Sequence, residues 1–179
     1  MKPLLRTTAT GLILLTCLFT PGAGASAQSA SPVAKLDPDR FIGTYYEIAR
    51  YPIKREKACL ASGMVLYALG DKKNSVQIVT SCEEKDGNSY SWNSAGKFSK
   101  SGDGKIKLAW IWPFTVKYWI LNLAPDYTWA LVGTPNHKSL SILSRTTTLS
   151  AEVLADIEAK ASAQGFNTPK LIKITQHQP

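Results

Sequence analysis

Histidine and cysteine are scarce in this 179-residue chain, and acidic residues are outnumbered by basic ones. There are two histidines and three cysteines. His137 lies in a Pro-Asn-His-Lys turn and His177 in the C-terminal tail. A zinc site needs three or four ligands, and no Cys/His cluster supplies them. No HExxH, CxxC or GxSxG occurs, which removes the usual metalloprotease, dithiol and serine-hydrolase signatures. Dense Lys/Arg runs and nucleic-acid motifs are missing too. The formal net charge of +8, from 21 basic and 13 acidic residues, is therefore a modest excess with ordinary explanations such as solubility. Only one apolar run, at the N-terminus, could be considered as a membrane helix, and it is too short for a comfortable span.

What is present is globular. Hydrophobic residues are 44% and charged residues 19%, which excludes wholesale disorder and collagen-like structure. The length suits one domain with a single sizeable core. Residues 1–27 read as a secretory signal peptide. Lys2 and Arg6 precede the apolar stretch Gly11–Phe19, Pro21-Gly22 breaks it, and Ala25-Ser26-Ala27 forms a small-x-small cleavage pattern. Removing Lys2 and Arg6 lowers the net charge from +8 to +6. Cys17 raises the alternative of a lipoprotein signal with a lipid anchor. Thr16 is a poor residue to precede such a cleavage and apolar residues continue past it, so Cys17 reads as part of the apolar run. The protein is expected to be exported and periplasmic, with outer-membrane association as the alternative.

Two cysteines then remain, Cys59 and Cys82. An even count in an oxidising compartment reads as a disulfide, against a reactive thiol or a metal ligand. It would close a loop of about 24 residues, worth roughly 3 kcal/mol.

The mature chain reads as strands followed by one helix. Residues 28–38 form a Ser/Ala/Pro-rich loose lead-in, 39–175 the folded domain and 176–179 a tail. Strand-like segments are Gly43–Tyr51, Gly63–Leu69, Ser75–Cys82, Tyr90–Phe98, Lys105–Trp112, Lys117–Leu123, Thr128–Gly133 and Ser139–Arg145. Gly/Asp/Asn/Pro turns separate them. Lys105 and Lys107 alternate with Ile106, Leu108, Trp110 and Trp112, the pattern of a sheet with one wet face. Eight such strands suggest a sandwich or an up-and-down barrel. Ser150 is placed to cap a helix over Ala151–Gln164, with Glu152 in its first turn and Gly165 after it. Val153, Ile157 and Ala161 give it one apolar stripe, which would cover the outside of a barrel. Pro169–Thr175 reads as a final short strand or an extended tail. Asp37 and Asp39 precede the first strand, with Asp39 placed to cap a short turn.

Three segments resemble the motifs of a known family. Gly43-Thr44-Tyr45-Tyr46-Glu47-Ile48-Ala49-Arg50 is similar to the first lipocalin motif, Gly-x-Trp-Tyr-Glu-Ile-Ala-Arg. Asp126-Tyr127 with Trp129–Gly133 resembles the second, and Ser141–Arg145 with Thr146 and Thr148 the third. The match covers most of residues 37–175 and is nearest to bacterial outer-membrane lipocalins, relatives of apolipoprotein D. It implies an all-β, eight-stranded antiparallel barrel with one helix packed outside. One departure stands out: the family's Trp is Tyr45 here. In the family that Trp packs at the closed base against the Arg of the third motif, so Gly43, Tyr45 and Arg145 are the expected base. Tyr can still offer its ring face to the guanidinium.

With the base so placed, the other end is the mouth. It would carry Ile53, Trp112, Phe114 and His137, the basic side chains Lys54, Arg55, Lys57, Lys85, Lys117 and Lys138, and the acids Glu56, Glu83, Glu84 and Asp86. Strand parity predicts an inward lining of Tyr45, Glu47, Ala49, Ile78, Tyr90, Trp92, Trp110, Tyr118, Ile120 and Leu143. Plain core packing is the alternative for each apolar member. An inward Glu47 is costly unless paired or hydrated; a structural hydrogen bond or a polar ligand group would answer it. Such an interior suits a small amphiphilic lipid, a fatty acid or lysophospholipid, held for storage or transport of membrane lipids or their breakdown products. No cofactor and no nucleic-acid partner are expected, the chain being a monomer or homodimer rather than an enzyme. Two alternatives are a barrel enzyme using a free Cys82 and a module whose mouth loops contact a protein or membrane.

Overall fold

The computed structural model describes residues 29–52, 59–84, 86–109 and 114–177. Residues 1–28 with Cys17, the expected mouth residues Ile53, Lys54, Arg55, Glu56, Lys57 and Lys85, and Trp110 and Trp112 lie outside the described residues. After a four-residue helix α1 (Pro38–Phe41) come eight long strands. They are β1 (Gly43–Arg50), β2 (Cys59–Leu69), β3 (Ser75–Glu84), β4 (Ser89–Phe98), β5 (Lys105–Ala109), β6 (Thr115–Leu123), β7 (Trp129–Gly133) and β8 (Leu140–Ser144). Helix α2 (Ala151–Ala163) and a two-residue strand β9 (Ile172–Lys173) follow. Successive strands pair antiparallel, and β8 returns to β1, so the eight strands close into a barrel with β9 added. Closure removes the exposed edges that an open sheet would present.

The closure between β1 and β2 is completed by the C-terminal segment. Direct pairing runs from Gly43↔Tyr67 to Tyr46↔Met64 and stops there. Beyond it β2 shifts register, with Ser62 at φ 52°. β9 takes up the freed edge of β1, pairing Ile172 with Arg50 and Lys173 with Ala49. Ile174 N donates to Ile48 O at 2.9 Å, and Ser62 N donates to Thr175 O at 2.8 Å. The Gln176 side-chain amide donates to both Glu47 O and Gly63 O. The tail thus satisfies backbone groups that would otherwise be unpaired where the two strands part.

Two apolar clusters share the barrel wall. The inner one fills the closed end with Phe41, Tyr45, Val65, Tyr67, Val76, Phe98, Ile106 and Ile120 among others. The outer one lies between the wall and α2, joining Leu121, Leu131, Leu140 and Ile142 to Ile157, Ala161 and Phe166. Ser150 caps α2 as expected, its Oγ accepting from Val153 N. Asp37, not Asp39, caps α1, accepting from Asp39 N and Arg40 N. The expected loose lead-in is docked. Val33 N donates to Ile120 O and Gly104 N to Val33 O, while Leu36 is buried in the inner cluster. Its polar composition hid the fact that two apolar residues are enough to hold it.

Deleting residues 171–179 should remove these seam contacts. At about 1 kcal/mol per hydrogen bond, urea denaturation should show a loss of roughly 3 kcal/mol or more. An unchanged midpoint would mean that β1 and β2 hold together without the tail.

Candidate ligand-binding site

The closed end is organised by Arg145. Its guanidinium lies over the Tyr45 ring, with Cζ 3.6 Å from the ring centroid. Its two terminal nitrogens donate to the carbonyls of Arg40, Phe41, Ile42 and Thr44. Three of these carbonyls belong to the end of α1 and the residue after it, where a helix leaves its acceptors unsatisfied. Gly43 adopts φ +108°, and a Cβ there would sit 2.8 Å from Arg145 Nη1. Glycine is therefore required twice, by the backbone and by the guanidinium. Phe41, held in place by this arrangement, packs against Tyr45, Tyr67 and Phe98 with ring centroids 4.8–6.5 Å apart. Burial pushes the Tyr45 phenol up to about 12, with the Arg145 charge pulling the other way. Tyr67, fully buried, is raised well above its ordinary value by the same cause.

Midway up β1 the inward lining becomes polar. Glu47 faces inward opposite Leu143, as parity predicts. A register shift between Glu47 and Ala49 then reverses the alternation. Ala49, expected inside, instead lies in the outer cluster beneath α2, paired with Ile142. Arg50 takes the inward position. Its Nε is 3.1 Å from Glu47 Oε2, and Ser141 Oγ donates to Glu47 Oε1 at 2.8 Å. Arg50 also donates to Cys59 O, tying the end of β1 to the start of β2. The pair answers the cost of burying Glu47, since each charge is compensated by the other and by hydrogen bonds. Sequence reasoning missed Arg50, because a spacing of three places two strand residues on opposite faces unless a bulge intervenes.

The remaining expected lining residues divide by height. Ile78, Ile120 and Leu143 are buried in the inner cluster. Tyr67 and Tyr118, from strands on opposite sides of the lumen, meet through their hydroxyls at 2.8 Å. That contact crosses the interior. Tyr67 was not singled out from the sequence, although it alternates with Val65 on one face of β2. Above, Tyr90 pairs with Cys82 and Trp92 with Thr80 on the inward face of β4. Their rings stand 5.6 Å apart. Although inward, Tyr90 is 39% exposed and Trp92 and Leu108 are only half-buried. The inner wall thus changes from sealed to accessible along its length.

The mouth residues fall in different places. Phe114 is 69% exposed ahead of β6. Lys117 points outward from the barrel wall rather than into the mouth, since Val116 and Tyr118 take the inward positions. His137 serves the helix: its Nε2 is 2.9 Å from Gln164 O, and its ring packs on Phe166 at 4.5 Å. Cys59 and Cys82 are joined by a disulfide, Cα–Cα 5.4 Å, linking β2 to β3. Cys82 therefore offers no thiolate, which only a free cysteine supplies. Among the described residues no group of three or more His, Cys, Asp or Glu could hold a metal ion.

This closed-end clamp, the barrel and the outside helix agree with the comparisons to known proteins. The family described as a lipocalin-like domain matches residues 36–176. The chain belongs to the lipocalin family. It is 31% identical over 172 residues to the outer membrane lipoprotein Blc of Citrobacter freundii, covering 94% of this chain and 93% of that one. It is 30% identical over 152 residues to temperature-induced lipocalin-1 of Arabidopsis thaliana, covering 80% and 81%. Among solved structures, insecticyanin from the tobacco hornworm Manduca sexta superposes with a TM-score of 0.63 at 19% identity, covering 85% of this chain and 92% of that one. The cockroach allergen Per a 4 gives 0.65 at 15% identity, covering 86% and 96%. These two establish the fold alone. Lipocalins are typically binding proteins for small hydrophobic molecules.

Two outcomes test the closed end. Gly43→Ala should cost about 2 kcal/mol or more in urea denaturation, from its positive φ and the contact with Arg145. Wild-type-like stability would show that the guanidinium can move aside. In an alkaline titration followed by phenolate absorbance, Tyr45 and Tyr67 should ionise late, above the ordinary tyrosine range. Their folded-state values are raised, so the stability they contribute is intact below pH 10. For Tyr45 it falls between pH 10 and about 12, where the unfolded chain loses its proton first. Tyr45→Phe and Tyr67→Phe should each remove one late step; a titration unchanged by either would contradict their burial.

Proposed function

We propose that this lipocalin is an extracytoplasmic binding protein for a fatty acid or lysophospholipid. It would store or transport membrane lipids or their breakdown products in the periplasm, in association with the outer membrane. The observation that carries the reading is the gradient along the inner wall. At the closed end Val76, Ile106 and Ile120 are fully buried, whereas Tyr90, Trp92 and Leu108 face inward yet remain open to solvent. Apolar surface facing an accessible interior is what an acyl chain can cover. Each buried CH₂ contributes about 0.8 kcal/mol before the costs of association. The Glu47–Arg50–Ser141 group offers a polar contact on the same wall. An anionic head placed among such groups, with the chain directed at the Tyr67–Tyr118 contact, accounts for both kinds of surface. The relatives named outer membrane lipoprotein support the cellular setting.

Tryptophan-fluorescence titration with palmitate and a palmitoyl lysophospholipid tests this. Trp92→Asp should weaken binding by tenfold or more. Asn93→Asp adds the same charge on the opposite, exposed face of β4 and should leave affinity unchanged. Equal affinity in both variants, or no binding by the wild type, would move the ligand out of the barrel.

A further inference from the structure

The C-terminal segment Ile172–His177 stands as an extra stave in the upper wall, and it is lightly held. On one side it meets β1 through the pairs Ala49↔Lys173 and Arg50↔Ile172 and the bond from Ile174 N to Ile48 O. On the other it meets β2 through the isolated bridge Ala61↔Thr175, with Ser62 N donating to Thr175 O. Side chains add the rest. The Gln176 amide donates to Glu47 O at 2.8 Å and to Gly63 O at 3.2 Å. His177 Nδ1 lies 2.7 Å from Glu83 Oε2, which also accepts from Ser62 Oγ. Both residues of β9 are exposed, and so is the His177 side chain. Short elements bonded at the surface belong to the low-stability end of a fold.

The neighbouring strands do not need this stave to stay in place. Above the bulge β1 is held by β8, through Ala49↔Ile142 and Arg50↔Ser141. The start of β2 is held by β3, through Cys59↔Glu84, Ala61↔Glu83 and the disulfide. The segment also has a pivot. Leu171 packs against the outer cluster and its N–H donates to Thr168 O, so movement can begin at Ile172. Its departure would leave β1 and β2 two strand spacings apart, about 9.6 Å, over roughly 10 Å of wall. A hydrocarbon chain is no thicker than the peptide strand that would have left. Behind the stave is the lumen. Paired residues share a face, so Ile172 points inward with Arg50, and Ile174, two residues on, does the same. Ile174 is buried, and a Cβ on Gly63 would meet its Cγ2 at 3.4 Å and Glu47 Cβ at 3.1 Å. Ile174 thus plugs the fork between β1 and β2 beside the Glu47–Arg50 pair. Arg50 Nη2 crosses the same gap to Cys59 O at 3.1 Å, but a side chain can swing aside where a backbone stave cannot.

We propose that Ile172–His177 is a releasable strap, latched by Gln176 and His177, whose release opens a lateral slit between β1 and β2 for an amphiphile to enter and leave the upper lumen. Passage of a ligand rests on the barrel reading, whereas release of the strap does not. A chain leaving through the slit moves broadside, with its head group meeting Arg50 at the edge, instead of being drawn end-on through the mouth.

Hydrogen exchange and ligand release, measured on the mature protein, test the strap. In the wild type the Ile174 and Ser62 amides should exchange well ahead of the β3 and β4 amides, because they open without the barrel. Gln176→Ala/His177→Ala removes three side-chain hydrogen bonds and should speed those two amides about tenfold or more, leaving β3 and β4 unchanged. The opposite variant pins the strap. Ala49 and Lys173 are directly opposite and flanked by the Ile174 N–Ile48 O bond, the closer kind of antiparallel pair and within disulfide reach. Oxidised Ala49→Cys/Lys173→Cys should slow both amides below the wild type. Release of bound palmitate to excess albumin should follow the same order, faster by about tenfold in the latch variant and slower in the pinned one. The affinity of the pinned protein should match the wild type, since a gate changes entry and exit alike. Exchange of Ile174 and Ser62 only together with the barrel strands would overturn the strap. Equal palmitate release from pinned, wild-type and latch proteins would overturn the slit. If no variant binds palmitate while the amides respond as described, the strap stands and the barrel reading falls.

Discussion

The Arg145 guanidinium is the constraint on which the rest of the molecule depends. One planar cation meets the face of Tyr45 and four backbone carbonyls at once. A lysine could not do this, because its three donors radiate from a point instead of lying in a fork. The contact fixes α1 against the start of β1, and α1 carries Phe41 into the lumen. Phe41, Tyr45, Tyr67 and Phe98 then fill the closed end with rings. Tyr in place of the family's Trp leaves the arrangement intact, since the guanidinium needs a ring face and the neighbouring rings fill the remaining volume.

A second constraint acts at the middle of β1. A strand that pairs with β8 along one edge and passes from β2 to β9 along the other must change its twist, and a bulge is the usual means. Here it turns Ala49 outward under α2 and brings Arg50 in beside Glu47. The resulting pair is expensive to bury alone but well compensated together, and through Cys59 O it also holds the place where β1 and β2 part. The disulfide and the C-terminal segment reinforce the same region from β3 and from outside. Three devices thus converge on the stretch where β1 and β2 part.

These constraints divide the protein into surfaces with different work. The closed end is a packed core. The upper interior exposes Tyr90 and Trp92 to a lumen that the Tyr67–Tyr118 contact closes below. The β4–β6 wall carries Lys97, Lys107 and Lys117 side by side in cross-strand register.

The elements were legible because they rest on local signals. Alternation such as Lys105-Ile106-Lys107-Leu108 marks a strand with one wet face, and Ser150 with its apolar stripe marks α2 almost to its last residue. The Tyr45–Arg145 base was legible through motif resemblance, which carries tertiary information that no short window contains. The docked lead-in was not, because Val33 and Leu36 look incidental in a polar segment. Nor was the inward turn of Arg50, since nothing in Glu47-Ile48-Ala49-Arg50 announces a bulge. By itself the sequence determined which residues alternate, which turns separate them and which cysteines were free to pair. Only the tertiary structure decided which side of each alternation became the interior after the bulge, and which lysines stand opposite one another. Both depend on register, a relation between distant strands set by closing the ring, and a shift of one residue reverses every face.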